Sequence, residues 1–450
     1  MSAHVDYPLS AVQERLWFTM QIAPESSAYT IPLTWRLTGP VRTDHLARAL
    51  QVVVDRHDSL RATFPMDWEG QPWQRVARTQ PLSLAETDLS HLLPPSRRVE
   101  QAKALIDELS QVPVDIEEGP LVRATLIRLA EDDHVLYVDV HHLVFDGWSA
   151  PIFEHELGAA YRALARGEAV DLPEVRQYPQ LWQRADDHDG DSEELEYWRE
   201  NLADLTPTEL PGDNPRPAEL SYEGSSVQTT VAEPAVTALR ELCREQRVSP
   251  YMAMLSVYFV LLRRYLRQDD LAVATPLSGR TDPDVENVIG CFVNTLAVRV
   301  RLSDKDTFRD VLEQVREQVL LAHENENVSY QQLITDLRVP RDYSRRPLCQ
   351  LSFDLDQDGT DDETSEWHDV TVRTFRLDGT TSARFDLELY VGVTEERLRC
   401  LFTYSTALFH RSTVEEFARR FVDLAQRLLA DPGRTLDEVD ETTGEPQGAH

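Results

Sequence analysis

Two apolar segments of nine residues, LVRATLIRL (121–129) and HVLYVDVHH (134–142), flank the turn-like Glu131-Asp132-Asp133. Runs of that length, rich in aliphatic and β-branched side chains and separated by turn residues, read as two strands. The second runs straight into a polar string, His141 to Ser149, and a helical pattern follows at once. Ser149 and Pro151 suit the opening of a helix. Its apolar face would be Phe153, Leu157, Ala160, Tyr161 and Leu164, and Gly167 would end it.

At 450 residues the chain exceeds one ordinary core, so it reads as two packed domains of mixed α/β character, residues 1–175 and 176–450. In the first half, residues 30–37 (TIPLTWRL) predict a strand and 43–56 a helix. That helix would carry Leu46, Leu50 and Val53 on one face, with Thr43 as its N-cap. A polar, proline-bearing stretch from about 167 to 195 marks the boundary. Within it, DDHDGDSEE (186–194) reads as an acidic loop. The second half begins its own strand, helix, helix, strand series after LPGDNPRP (210–217). Ser249-Pro250 opens a helix to about residue 266 that is apolar on most sides and therefore buried. The strand LAVATPL (271–277) follows. A second acidic segment (354–366) reads as a loop, a last helix covers about 413–430, and the tail 440–450 reads as disordered.

Composition removes several function classes. No apolar run of about 18 residues is present, which speaks against a membrane-spanning helix. The N-terminus, MSAHVDYPLSAVQ, lacks both the basic start and the apolar stretch of a signal peptide, so a cytoplasmic location is expected. The formal charge of −33 disfavours nucleic acid and anionic membranes. An acidic partner protein would have to dock on a local basic patch. Only Lys103 and Lys305 are lysines, a bias that reflects coding composition rather than function. Cys243, Cys291, Cys349 and Cys400 lie far apart without a C-x-x-C pair, so reduced, mostly buried thiols are expected, with neither a zinc site nor a disulfide framework.

The string Val140-His141-His142-Leu143-Val144-Phe145-Asp146-Gly147-Trp148-Ser149 lies where a strand gives way to a loop and a helix. A neutral histidine there could serve as base for a nucleophile, the need of an acyl transfer near pH 7. Adjacent strand residues point to opposite faces, so only one of the two histidines can face a reaction. On these residues alone, a buried structural pair is the more economical alternative. Spacing suggests no third ligand for a metal.

The wider pattern changes that balance. Ser10 to Trp17 (SAVQERLW), Arg56 to Phe64 (RHDSLRATF), the His-His-Asp-Gly string, Tyr178 to Trp182 (YPQLW), Ile289 to Thr295 (IGCFVNT) and Arg341 to Leu348 (RDYSRRPL) follow one another in order. In this ordered set the chain resembles the condensation domains of nonribosomal peptide synthetases over nearly its whole length. A motif near His323-Glu324-Asn325 is degenerate. The resemblance implies two chloramphenicol-acetyltransferase-like lobes forming a V-shaped pseudo-dimer, with the active site at their junction. It further implies a tunnel that receives substrates on the phosphopantetheine arms of donor and acceptor peptidyl carrier proteins, with no cofactor of the enzyme's own. His142 would face the reacting groups as base or positioning group, and the Gly147 N–H would contact the developing oxyanion. His141 would be structural, and Asp146 would pair with Arg280 from the second lobe. Gln13, Arg15, Trp17, Arg56 and Arg61 would brace the first lobe, and Phe292, Asn294 and Thr295 the crossover.

The intact His-His-Asp-Gly-Trp-Ser string matches the peptide-bond-forming type of this family rather than its cyclising, epimerising or recruiting relatives. No Gly-Gly-x-Ser carrier motif, P-loop or dinucleotide fingerprint occurs in 1–450, so a free-standing enzyme is the expectation. Its acceptor would be a carrier-bound aminoacyl group or a small amine or alcohol. The alternatives are a CoA-dependent acyltransferase of the same fold and a non-catalytic docking platform.

Overall fold

The computed structural model describes residues 4–181, 193–280, 282–328, 330–340, 342–356, 364–377, 379, 382–394 and 397–441. Trp182, residues 186–192 of the first acidic loop, Arg341, residues 357–363 of the second and 442–450 of the tail lie outside them. The chain forms two compact units. The first comprises 1–189, 278–293 and 361–378, and the second 190–277, 294–360 and 379–450. Where the sequence suggested one cut near residue 175, two later segments here pack with the first unit.

The first unit is built on a six-stranded sheet in the order Thr364–Trp367, Val370–Thr374, Thr30–Thr38, Asp133–His141, Val122–Ala130, Leu84–Asp88. The two apolar segments that open the sequence argument are its antiparallel centre, with Val122 opposite Val140. Both faces are covered, which is why these strands are apolar nearly throughout. Tyr137, Val135, Ile127 and Leu129 cluster with Ala102 and Ile106 of the helix Pro95–Ser110. On the opposite face Trp35 stacks on Phe153 of the helix Ser149–Arg166, ring centroids 6.3 Å apart. That helix ends at Gly167, whose φ of 71° is left-handed, as its sequence position suggested. Thr43, expected as an N-cap, is instead the first helical residue of Thr43–Arg56. Arg42 takes the cap position with no side-chain bond, and its N–H donates to the Tyr161 hydroxyl (3.0 Å).

The second unit holds a six-stranded mixed sheet, Asn294–Arg301, Asp270–Leu277, Leu351–Asp356, Leu387–Val393, Arg397–Ser405, Gly224–Ala232. Its core includes the helix Pro250–Leu266, in which every residue from Ala253 to Arg263 is buried. Ser249 caps it by accepting from the Met252 N–H (3.2 Å). The strand, helix, helix, strand series read from the sequence is present as 224–232, 235–246, 250–266 and 270–277.

The hairpin Thr364–Thr374 closes one edge of the first sheet through the pairing of Val370–Thr374 with Thr30–Thr38. Trp367 anchors it, fully buried against Gly158 of the helix Ser149–Arg166. A Cβ at Gly158 would lie 2.5 Å from the indole Nε1. Alanine is favoured over glycine in a helix by about 1 kcal/mol, whereas overpacking a buried ring costs about 1–3 kcal/mol. Gly158→Ala should therefore lower stability in a urea melt; an increase would show that the indole moves without cost.

Candidate active site

The site grows from the end of a central strand. His141 is the last residue of Asp133–His141, paired opposite Thr30. His142 starts a short 3-10 turn to Val144, so the two histidines straddle the strand end rather than alternate along it. The His141 N–H donates to Leu121 O (2.9 Å) and the His142 N–H to Tyr29 O (2.7 Å). From the N-terminal helix, Gln13 Nε2 donates to Leu143 O (3.0 Å). The turn is thus held by backbone bonds on both flanks.

His141 is buried and its Nδ1 accepts the Leu143 N–H (3.2 Å), which places the ring proton on Nε2. Burial, with the neighbouring His142 and Arg123 adding to it, pushes its pKa down to about 3. This histidine is a neutral brace of the turn.

Asp146 is the node. Its Oδ2 accepts from Arg280 Nη1 (2.6 Å) and the Phe292 N–H (3.0 Å). Its Oδ1 accepts from the Ser149 N–H (2.9 Å), the Ser149 hydroxyl (2.7 Å) and Arg280 Nη2 (3.2 Å). The two side chains are 2% and 1% exposed. Arg280 also donates to Val288 O (3.0 Å), and its guanidinium lies 4.1 Å over the Phe292 ring. Arg280 belongs to the segment 278–293, which is part of the same compact unit as Asp146. The expectation that it reaches Asp146 from the second lobe is corrected accordingly: pairing and stacking bury this segment within the first unit.

The same segment is pinned a second time. The Tyr178 hydroxyl donates to Cys291 O (2.6 Å) and bonds Ser10 Oγ (2.9 Å). The Tyr178 ring covers Gly290, where any Cβ would fall 2.1 Å from Cδ2. Cys291 in turn sets its sulfur 3.5 Å from Nδ1 of His142. Gly147 has open space beside its Cα, and its N–H meets no acceptor among the described residues. That leaves it available to an oxyanion.

The accompanying motif residues brace the unit. Trp17 Nε1 donates to Phe64 O (3.3 Å), and Arg61 pairs with Asp58 (2.5 Å). Arg56 and His57 both bind the buried Glu156 (2.9 and 2.7 Å). Asn294 lies in the second unit, where its Nδ2 donates to Glu326 O and Val328 O. Among the described residues no group of three or more His, Cys, Asp or Glu could hold a metal ion. The sequence reading passed over the roles of Ser149, Tyr178 and Cys291 in the node. Tyr178 and Cys291 stood inside quoted motifs, but their partners are more than 100 residues away in the chain.

A family model described as Condensation domain matches residues 3–447. This chain belongs to the condensation-domain family of nonribosomal peptide synthetases, two chloramphenicol-acetyltransferase-like units in one chain. It is 37% identical over 435 residues to phosphinothricin tripeptide synthetase PhsC of Streptomyces viridochromogenes, covering 95% of this chain and 40% of that protein. The chain thus spans well under two thirds of that relative's length. Among solved structures it is similar to holo-AB3403, a four-domain nonribosomal peptide synthetase bound to AMP and glycine, at 22% identity, with a TM-score of 0.87 over 96% of this chain and 34% of that one. It is also similar to the X-domain in the complex of the X-domain and OxyB from teicoplanin biosynthesis, at 26% identity, with a TM-score of 0.83 over 96% and 95% of the two chains.

Removing either Asp146 or Arg280 strands a buried charge, which costs about 3–5 kcal/mol. Asp146→Ala and Arg280→Ala should each lower the melting temperature. The double variant should lose clearly less than the sum of the two; strictly additive losses would show that they do not act as a pair.

His141 supplies a pH signature. Its folded pKa lies below the ordinary value of 6.5, so its contribution is fully present above about pH 6.5 and is lost as pH falls toward 3. At roughly 1.4 kcal/mol per pH unit, about 2 kcal/mol disappears between pH 6.5 and 5. His141→Asn keeps an acceptor for Leu143 but does not titrate. Urea melts at both pH values should show the parent losing more stability than the variant, and equal losses would remove His141 as an acid-sensitive element.

Proposed function

We propose that the chain is a condensation enzyme that transfers an acyl or aminoacyl group from the phosphopantetheine thioester of a peptidyl carrier protein to an amine or alcohol acceptor. The observation that carries this reading is the intact turn: His142 at a strand end, locked from behind by the Asp146–Arg280 node, with the Gly147 N–H unengaged beside it. In this reaction the acceptor nitrogen or oxygen attacks the thioester carbonyl carbon. The new C–N or C–O bond forms, the C–S bond breaks, and the arm leaves as a thiol. His142 orients the nucleophile and receives its proton on Nε2, then releases it toward the departing sulfur. The Gly147 N–H faces the oxygen on which negative charge gathers, which lowers the barrier without reorganisation. Asp146 is held by five donors and cannot serve as the base.

The similarity to an X-domain solved in complex with OxyB favours a second reading, a docking module that recruits another enzyme. The two readings differ in turnover. A donor on a carrier protein should react under single-turnover conditions far faster than the same acyl group on CoA, because remote binding energy orients the thioester. His142→Ala should lower that rate by roughly 10²–10⁴-fold with melting unchanged. Equal rates with the CoA thioester would indicate a CoA-dependent acyltransferase, and no product from either donor would indicate the docking module.

A further inference from the structure

Cys291 is held more firmly than a space-filling thiol requires. Its carbonyl accepts the Tyr178 hydroxyl, the N–H before it (Gly290) donates to Ser149 Oγ (3.2 Å), and the N–H after it (Phe292) donates to Asp146. Three consecutive residues are thereby fixed, and the sulfur they deliver lies 3.5 Å from His142 Nδ1 with no exposure to solvent. Sulfur at that distance exchanges a weak hydrogen bond with a ring nitrogen, as donor or acceptor.

A cysteine touching a histidine can form a thiolate–imidazolium pair and act as a nucleophile. That role does not fit here. Burial, reinforced by the nearby Asp146 carboxylate, drives the thiol well above its ordinary range, so it stays protonated.

We propose that Cys291 is a positioning residue for His142, its sulfur accepting the Nδ1–H so that the lone pair of Nε2 is turned toward the reacting groups. This rests on the reading of His142 as the group that meets the acceptor nucleophile. The arrangement serves both states of the ring. Neutral His142 donates from Nδ1 and offers Nε2 as acceptor. After Nε2 takes the nucleophile's proton, the imidazolium keeps the same Nδ1–H to sulfur bond, and no rotation is needed. Without the sulfur, a histidine side chain ordinarily prefers the opposite tautomer, which offers no base at Nε2.

The test is side-chain nitrogen NMR of ¹⁵N-histidine-labelled protein near pH 8, with the His142 signals assigned by their loss in His142→Ala. The parent should show His142 with its proton on Nδ1. Cys291→Ala should move the dominant population to Nε2–H, and Cys291→Ser, whose hydroxyl can still accept, should retain the Nδ1–H form. In the carrier-donor assay Cys291→Ala should lower kcat by roughly tenfold at unchanged KM, the worth of one modest hydrogen bond. A parent with Nε2–H, or an alanine variant with the parent's tautomer, would overturn the proposal. If Cys291→Ala fails to fold, a serine variant with the tautomer switched to Nε2–H would overturn it equally. Full activity of His142→Ala would instead remove the reading beneath it, and the tautomer result would still judge the sulfur contact.

Discussion

The carboxylate of Asp146 accepts five hydrogen bonds from three places in the chain: its own helix start at Ser149, Arg280, and the backbone of Phe292. Burying a carboxylate and a guanidinium is expensive, and mutual attraction alone does not repay it unless the remaining lone pairs are filled. Here each carboxylate oxygen has at least two donors, and the arginine also meets a carbonyl and an aromatic face. One buried ion pair fixes the turn after His142, the first turn of the following helix and the segment that brings Cys291 against the imidazole. Gln13 and Tyr178 close the same node from the N-terminal helix and from the stretch before residue 181.

What could be read from the sequence follows from the range of the forces involved. Strand and helix periodicities are local, so residues 122–141, 149–166 and 250–266 fell within one or two residues of where they form. Gly167 was legible because a left-handed residue is a local need. The Thr43 cap was not, because a distant hydroxyl, Tyr161, satisfies the amide at Arg42. Strand alternation was applied one residue too far: the strand stops at His141, and a turn orients His142. The pairing of Asp146 with Arg280 was reached through the family's ordered motifs. No periodicity relates residues 134 positions apart, and the unit to which Arg280 belongs was misjudged for that reason. The Cys291 contact was invisible because a lone cysteine in an apolar setting carries no signal of what lies across the chain from it.

Charge shows the same limit. The sequence counts 45 basic residues against 78 acidic ones, but many arginines are spent internally on carboxylates. Arg56 is committed to Glu156, Arg123 to Asp139, Arg216 to Glu209 and Asp386, and Arg299 to Asp270. A guanidinium suits these sites because its planar fork satisfies a carboxylate with two parallel bonds. The guanidinium groups left to meet an anionic partner are therefore fewer than composition suggests. Any docking patch must be built from the remainder.

One buried ion pair holds the turn that carries His142 and the 288–292 segment as a single unit. Native-state hydrogen exchange reads this directly, since the amides of Ser149 and Phe292 both donate to Asp146. With Arg280 replaced by lysine, which cannot supply the two-pronged bond, both amides should lose protection together and by similar factors, while amides of the strand Asp133–His141 keep theirs. Loss of protection at only one of the two, or at neither, would contradict the account.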